Sequence, residues 1–264
     1  MIYTCYEMIR DCRAGRPEGW TYFLTQYVPV IRRFLAHYFP ERAGGPAVIE
    51  RVWVFLRQPE SGLFELLDPA PERIFVAELR QRVLGAVEAY RAAAAPRVSI
   101  DLETLGAAVE PLTLTEKLVV WFETMGYSDA DTGRMLRMSP ETAARIRARA
   151  AELIRGAVDS WNSSMLADNG RPLGRAAASL STKDCPPAKA FFDVIDGRAT
   201  WRGREEMERH VKSCWYCLDH FCRLLEVVDV LRAAKPLEEA EAEDYQRLLG
   251  IQPPKRPFWK RAAG

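Results

Sequence analysis

The chain contains 264 residues, of which 48% are hydrophobic, and its 37 basic and 36 acidic side chains leave a formal net charge of +1. This length is sufficient for two or three small domains, and no apolar run approaches the ~18 residues that a membrane span requires. A net charge near zero neither favours nor excludes nucleic acid as a partner, because the local distribution of charge decides such binding.

The cysteine content and the first residues together predict the compartment. The opening stretch, MIYTCYEMIRDCRAGR, contains neither the apolar segment nor the cleavage site of a secretory signal peptide. We therefore expect a cytoplasmic protein that does not associate with membranes. The six cysteines are then expected to be metal ligands or buried thiols rather than a disulfide framework.

Apolar residues recur at three- and four-residue spacing along most of the chain, as in TYFLTQYVPVIRRFLAHYF, which indicates amphipathic helices. We find no internal repeat and no strand pattern, so the predicted fold class is all-α. Two segments rich in small residues, glycine or proline are predicted to be linkers, namely RAAAAPRVS (91–99) and residues 163–184. The predicted organisation is a helical domain at 1–95, a second helical domain at 101–160, a compact unit at 185–232 and a tail at 233–264. The tail combines an acidic helical piece, which ends at Gly250, with the basic end PPKRPFWKR.

The segment 114–155 has the helix boundaries of two short helices joined by a tight turn. An apolar helix stops at Gly126, which suits a left-handed C-cap. Ser128 can cap the N-terminus of the next helix. The chain then restarts at Ser139 and Pro140, with the serine as N-cap and the proline at the first helical position, where it is tolerated.

The helix after this turn is predicted to bury an apolar stripe and to leave its arginines outward. The stripe is Ala143, Ile146, Ala150 and Leu153. A second helix of this kind enters the major groove of DNA, where arginines contact phosphates or guanine edges. The candidate DNA-binding residues are Thr142, Arg145, Arg147 and Arg149. An amphipathic helical hairpin whose arginines are merely solvated shows the same pattern, so both interpretations stay open.

The stretch EKLVVWFETMGYSDADTGRMLRMSPETAARIRARAAELI resembles the C-terminal helix-turn-helix of the extracytoplasmic-function (ECF) sigma factors of bacterial RNA polymerase, which recognises the −35 promoter element. The residues that match this family's pattern are Glu116, Val119, Gly126, Ser128, Leu136, Ser139 and Thr142. The stretch departs from the pattern in the recognition helix, where Ala143 and Ala144 replace larger residues and the arginines shift by about one position.

The N-terminal block resembles the same family more loosely. EGWTYFLTQYVPVIRRFL is similar to the opening helix of the sigma domain that binds polymerase and melts the −10 element. AVIERVWVFLRQ is similar to the following helix, which docks on the polymerase clamp. Gly45, Pro46 and Ala47 stand where the family has acidic residues, and Glu78 stands where tryptophan is common.

A candidate metal site lies in the segment HVKSCWYCLDHFC. A structural zinc site needs four nitrogen or sulfur ligands, of which two often come from a short C-x2-C. His210, Cys214 and Cys217 supply three ligands if one helix ends at the histidine and another begins between the cysteines. Cys185 is available as the fourth, and His220 is an alternative that would strain the helix. Buried thiols without a metal also stay open, whereas a redox pair of thioredoxin type needs a βαβ context.

The segment 185–232 resembles the zinc-binding anti-sigma domains that regulate ECF sigma factors. In those domains an upstream Cys or His and an "hhDGxh" segment, here DVIDGRAT, precede H-x3-C-x2-C. The resemblance implies a structural zinc ion held by Cys185, His210, Cys214 and Cys217. It also implies that the next helix docks on the sigma domains. The apolar stripe predicted for that docking is Phe221, Leu224, Leu225, Val228 and Leu231.

These resemblances predict a DNA-binding transcription initiation factor of ECF sigma type. It would recruit core RNA polymerase to promoter DNA and be regulated by intramolecular docking of its zinc-binding unit. The alternative is a sigma-derived scaffold or regulator that no longer recruits polymerase, which the missing acidic residues before the clamp helix favour. We expect no enzymatic activity, because the chain has no convergent acid, base and nucleophile and no phosphate loop.

Overall fold

The structure is a computed structural model that describes residues 3–40, 46–65, 71–88, 100–157 and 165–252. All regular secondary structure in these residues is helical, and none of them forms a strand. The predicted all-α fold class is therefore confirmed. Within the same residues no helix combines the length and the apolar character needed to cross a membrane. The predicted linker at 91–99 and the basic end from residue 253 lie outside the described residues.

The chain divides into two compact units, one formed by residues 1–93 together with residues 230–264 and the other by residues 94–229. The helices are, in chain order, α1 (Cys5–Arg13), α2 (Pro17–Tyr38), α3 (Pro46–Leu56), α4 (Glu72–Glu88), α5 (Leu102–Val109), α6 (Leu114–Thr124), α7 (Asp129–Leu136), α8 (Pro140–Ala157), α9 (Met165–Ala178), α10 (Ala188–Ile195), α11 (Trp201–Ser213), α12 (Trp215–Ala233) and α13 (Glu239–Leu248). The second unit includes both the helix-turn-helix segment and the candidate metal site.

An aromatic cluster forms the centre of the first unit. The ring centroid of Phe23 on α2 lies 5.8 Å from that of Trp53 on α3 and 5.5 Å from that of Phe64. The ring of Tyr27, one turn further along α2, lies 5.2 Å from the ring of Phe75 on α4. Buried aromatic side chains contribute large apolar areas and favour such tilted or edge-to-face contacts. One cluster therefore packs α2, α3 and α4 together.

The acidic helical piece predicted in the tail is present as α13 and belongs to the first unit. The chain leaves α13 through Gly250, whose φ of +66° is the left-handed conformation that glycine adopts without steric cost. Leu237, ahead of the helix, and Leu249 and Ile251, after it, are buried. These residues are part of the core of the unit.

The prediction of a linker at 163–184 is wrong for residues 165–178, which form α9. The small residues of this segment serve close packing between helices. A Cβ placed on Gly170 would stand 1.8 Å from the carbonyl oxygen of Thr124 on α6. The backbones of α9 and α6 are therefore closer at this position than any residue with a side chain would permit. Composition alone cannot separate a glycine that loosens the chain from one that admits a neighbouring helix.

This approach generates a stability prediction with an internal control. We expect Gly170→Ala to destabilise the second unit by at least about 1–3 kcal/mol, because its methyl group overlaps the backbone of α6. Gly174→Ala lies one turn along the same helix, where the nearest atom to a new Cβ is Arg223 Nη2 at 3.6 Å. It should be neutral or stabilising by up to about 1 kcal/mol, through helix propensity alone. Urea unfolding of the full chain measures both, and equal effects would contradict the close approach.

Candidate metal centre and nucleic-acid interface

The helix-turn-helix segment has the capping residues that its sequence predicts. Gly126 ends α6 with a φ of +81°. The hydroxyl of Ser128 accepts a hydrogen bond from the backbone N–H of Asp131 at 3.1 Å, at the start of α7. The hydroxyl of Ser139 accepts one from the N–H of Thr142 at 3.2 Å, at the start of α8. Caps of this type contribute about 1 kcal/mol each and fix where a helix begins.

The turn between α7 and α8 is tight. Arg137 adopts the left-handed conformation at a φ of 58°, and the N–H of Met138 donates to the carbonyl of Gly133 at 2.8 Å. A Cβ on Gly133 would lie 2.8 Å from the carbonyl oxygen of Met138. Glycine at position 133 therefore allows the chain to fold back directly into α8.

The four candidate DNA-binding residues have different surroundings. Arg145 is exposed, and no hydrogen bond or ion pair joins its side chain to another described residue. Arg147 forms an ion pair with Asp129 of α7 at 2.6 Å. The Thr142 hydroxyl lies 3.1 Å from the hydroxyl of Ser139, within the cap of α8. The structure thus does not bring the four side chains together on one free surface.

Arg149 pairs with Glu116 of α6 at 3.0 Å. Glu116 also accepts hydrogen bonds from the backbone N–H and the hydroxyl of Thr113. These hydrogen bonds and the positive charge of Arg149 lower the pKa of the Glu116 carboxyl group. The arginine side chain is 68% exposed, whereas the side chain of Glu116 is only 9% exposed. The hydrogen bonds from Thr113 still satisfy Glu116 if Arg149 turns to another anion.

The prediction of the inward-facing stripe of α8 is wrong for one residue. Ala143 and Ala150 are buried as predicted, but Leu153 is 37% exposed and Ile154 is buried instead. Since both three- and four-residue steps keep a side chain on one helical face, the sequence spacing did not discriminate between the two positions.

The four predicted metal ligands come together in the second unit. One nitrogen or sulfur atom from each of Cys185, His210, Cys214 and Cys217 lies within 4.8 Å of the others. The sulfurs of Cys185 and Cys214 are 4.0 Å apart, and His210 Nε2 is 3.2 Å from the sulfur of Cys217. In a tetrahedral site with Zn–S of about 2.3 Å and Zn–N of about 2.0–2.1 Å, ligand atoms lie roughly 3.5–3.8 Å apart. The cluster can therefore bind a metal ion such as zinc.

A break between two helices creates this arrangement. His210 lies in the last turn of α11, and Cys214 is extended (φ −117°, ψ 112°), so that α11 ends there. The carbonyl of Cys214 accepts the N–H of Leu218 at 2.9 Å, which places Cys217 in the first turn of α12. In one continuous helix, residues seven apart would be separated by about 10 Å along the axis. The single extended residue brings His210 and Cys217 to the same point.

The fourth ligand, Cys185, stands in a turn ahead of α10. Its N–H donates to the carbonyl of Thr182, and the backbone N–H of Thr182 donates to its sulfur at 3.4 Å. Burial alone would raise the pKa of this thiol, but hydrogen bonds from Thr182 and from His210 lower it to about 6. Hydrogen bonds that favour the thiolate favour the form that coordinates metals. Thr182 could not be identified from the sequence, since nothing marks a threonine three positions before a candidate ligand.

The other candidate ligands are used for packing. His220 stacks on Tyr216 with ring centroids 5.7 Å apart and meets Phe191 edge-on at 5.1 Å. Burial lowers the pKa of His220 to about 4, which leaves its ring neutral at pH 7. Cys222 is fully buried on α12, and burial raises the pKa of its thiol. Neither residue belongs to the metal cluster.

The helix-turn-helix segment and the metal-binding segment meet along α12. The indole N–H of Trp121 on α6 donates to Asp219 at 3.1 Å, and the hydroxyl of Tyr127 donates to Glu226 at 2.6 Å. Asp219 and Glu226 are 4% and 1% exposed. The ring of Trp121 also lies 5.2 Å from that of Trp215, the first residue of α12. Two buried carboxylates with specific donors therefore define this contact.

A further contact lies on the same side of α12, near the C-terminal end of the helix. Arg134 of α7 donates two hydrogen bonds to the carboxylate of Asp229, at 2.8 and 2.9 Å. Within the predicted docking stripe Leu224 and Val228 are buried. The ring centroid of Phe221 lies 5.8 Å from that of Phe191 on α10. The acidic side of α12 could not be predicted from the sequence, because the apolar stripe is the stronger periodic signal on the helix.

Comparison of the chain with protein-family models, with curated proteins and with solved structures finds no match. The resemblance to ECF sigma factors and to their zinc-binding regulators therefore depends on the residues and motifs of this chain.

The cluster predicts one metal ion per chain. Protein purified without added metal should contain a stoichiometric divalent ion, and Cys214→Ala combined with Cys217→Ala should lose it, because two of four ligands are removed. Cys222→Ala is the matched control, since it removes a buried thiol of α12 outside the cluster. Elemental analysis measures all three proteins. Absence of metal from the wild type, or its retention in the double variant, would contradict the site.

Proposed function

We propose that this chain is a transcription initiation factor of ECF sigma type, in which a fused zinc-binding segment controls the DNA-binding segment. The single observation that carries the proposal is the α7–α8 pair, with its three-residue turn and the exposed Arg145, whose side chain forms no ion pair with another described residue. In DNA-binding helix-turn-helix proteins the second helix of such a pair lies in the major groove. The resemblance of α2 and α3 to the polymerase-binding domain adds core RNA polymerase as the partner.

The metal proposed for the cluster is zinc. Three thiol sulfurs and one imidazole nitrogen match the soft and borderline ligands that zinc prefers, and four protein ligands are typical of structural sites rather than catalytic ones. The ion would hold Cys185 ahead of α10 to the junction of α11 and α12. It would thereby fix the direction in which α12 leaves the cluster.

Regulation is proposed to act through α12. Its acidic side engages Trp121, Tyr127 and Arg134, which belong to the segment that would approach DNA. Asp229 holds the guanidinium of Arg134 in an ion pair, which a DNA phosphate would have to replace. Metal loss would free α12 from its orientation and weaken these contacts. In this mechanism the metal site and the DNA-binding helix are coupled through one rigid helix.

A second candidate function is a sigma-derived scaffold that binds a protein partner without recruiting polymerase. The ion pairs of Arg147 with Asp129 and of Arg149 with Glu116 favour it, because they engage two of the three candidate DNA-contacting arginines. Such pairs stabilise a helical surface equally well for protein contacts.

The polymerase arm of the proposal is tested by co-purification. The full-length chain, mixed with bacterial core RNA polymerase, should co-elute with it and direct it to duplexes selected from a random DNA pool. Co-elution without DNA selection would support the scaffold. Failure to bind polymerase under any metal condition would overturn the sigma-type function.

The DNA arm predicts a distinct role for Arg145. If it contacts a base, Arg145→Ala should weaken binding to the selected duplex by about 1–3 kcal/mol and relax specificity at one position. If it contacts a phosphate, binding should weaken equally for all sequences and the salt dependence should flatten. Arg202→Ala, which removes an exposed arginine of α11, is the control and should change neither. Titrations at several salt concentrations measure this, and unchanged binding would reassign α8 to a protein interface.

A further inference from the structure

A cavity of about 460 Å³ lies beside the metal cluster in the second unit. Residues of α5, α6, α11 and α12 line it, together with Cys214 at the junction of α11 and α12. Cys185, His210 and Cys217 do not line it, so the cavity is a separate feature from the cluster. A volume of this size suits a small organic molecule rather than a single ion.

Positive charge predominates among the described residues that line this cavity. Lys117 of α6 lines it together with Arg209 and Lys212 of α11, and the carboxylate of Glu110 is the opposing charge. The two α11 cations are three residues apart and therefore share one face of the helix. Arg209 also pairs with Glu205, but the charged atoms are 3.7 Å apart and both side chains are half exposed or more, so another anion can replace the glutamate. A concave site with excess positive charge concentrates anions.

Lys117 is held at the wall of the cavity. Its ammonium group donates a hydrogen bond to the backbone carbonyl of Lys212 at 3.1 Å. An ammonium group has three donors, so this bond leaves it able to bind a ligand as well. Burial and the nearby positive charge of Lys212 lower the pKa of Lys117. Two ammonium groups held close together repel each other, and an anion placed between them would remove that repulsion.

Another wall of the cavity is aromatic. The indole of Trp215, which is partly exposed, lines the cavity beside Gly106 of α5. A Cβ on Gly106 would stand 3.5 Å from the indole nitrogen. The glycine therefore leaves the space beside the indole free of a side chain. Aromatic side chains bind planar rings by stacking, independently of the exact identity of the ring.

We propose that this cavity binds a small phosphorylated molecule, with its phosphate groups held by the three cations and a planar ring against Trp215. A small molecule fits better than a DNA backbone, because the cations line a concave space rather than a continuous ridge. Lys212 and Trp215 stand on either side of Cys214, so the bound molecule would stabilise the junction of α11 and α12. The inference does not depend on the proposed function in transcription.

The test uses the full-length chain with inorganic pyrophosphate, ADP and adenosine as probes. Titration calorimetry measures their affinities. Amide hydrogen exchange reports the junction, where the N–H of Cys214 donates to the carbonyl of His210 at 3.0 Å and the N–H of Leu218 donates to the carbonyl of Cys214 at 2.9 Å. We expect pyrophosphate and ADP to bind, ADP more tightly, and adenosine to bind too weakly to measure. Both phosphates should slow exchange of these two amides, since a ligand that binds only the closed structure opposes its opening.

Two variants on different helices separate the anion site from the ring site. Lys117→Gln should weaken pyrophosphate and ADP alike by about tenfold, the scale of one charge-assisted hydrogen bond. Gly106→Leu fills the space beside Trp215 and should weaken ADP more than pyrophosphate. Arg204→Gln is the control, since it removes an exposed cation of α11 that does not line the cavity, and it should change neither affinity.

Three results would overturn the inference. The first is the absence of pyrophosphate and ADP binding at millimolar concentrations. The second is binding that leaves the exchange of Cys214 and Leu218 unchanged, or that Lys117→Gln and Arg204→Gln weaken equally, because the ligand then lies elsewhere. The third is weaker binding of random duplex DNA by Lys117→Gln when neither phosphate probe binds, which would assign these cations to a DNA backbone.

Discussion

The extended backbone at Cys214 is the constraint on which the second unit depends. It ends α11 and starts α12 within one residue, which brings the ligand atoms of His210 and Cys217 to 3.2 Å. It also sets the rotation of α12 about its own axis, so that Asp219 and Glu226 reach Trp121 and Tyr127. A metal ion at the cluster would stabilise this bend, because ligand geometry around zinc is strict. The coordination site and the helix contact are thus two results of one bend.

The contact along α12 includes two buried carboxylates, and these determine how accurately the helix is placed. Burying a carboxylate is costly unless it is fully paired, and paired buried charges contribute more to a unique arrangement than to raw stability. Asp219 receives the indole N–H of Trp121 and an ion pair from Arg223 at 2.8 Å. An apolar interface would tolerate sliding by one helical turn, whereas these donors fix a single register.

Local signals in the sequence were sufficient for the starts of α7 and α8 and for the four residues of the cluster that could hold a metal ion. Ser128 and Ser139 cap their helices because the capping hydrogen bond needs only neighbouring residues. Cys185 could be identified because few residue types coordinate metals. The α9 helix was missed, since the space available at Gly170 depends on the backbone of α6. The choice between Leu153 and Ile154 likewise depends on the surface against which α8 packs, which a helical period cannot specify.

Pro29 has a consequence for the order in which the protein forms. Gln246 of α13 donates a hydrogen bond to Thr21 of α2, and the two residues are separated by 225 positions in sequence. At synthesis rates of about 5–20 residues per second, α2 leaves the ribosome roughly ten to forty-five seconds before α13 exists. Pro29 has no N–H for the carbonyl of Thr25, which instead accepts the N–H of Leu237 at 2.9 Å. During that interval the Thr25 carbonyl is therefore open to solvent or to another chain. Each new molecule therefore passes through a period in which its N-terminal helices are uncovered, before its own C-terminal residues arrive.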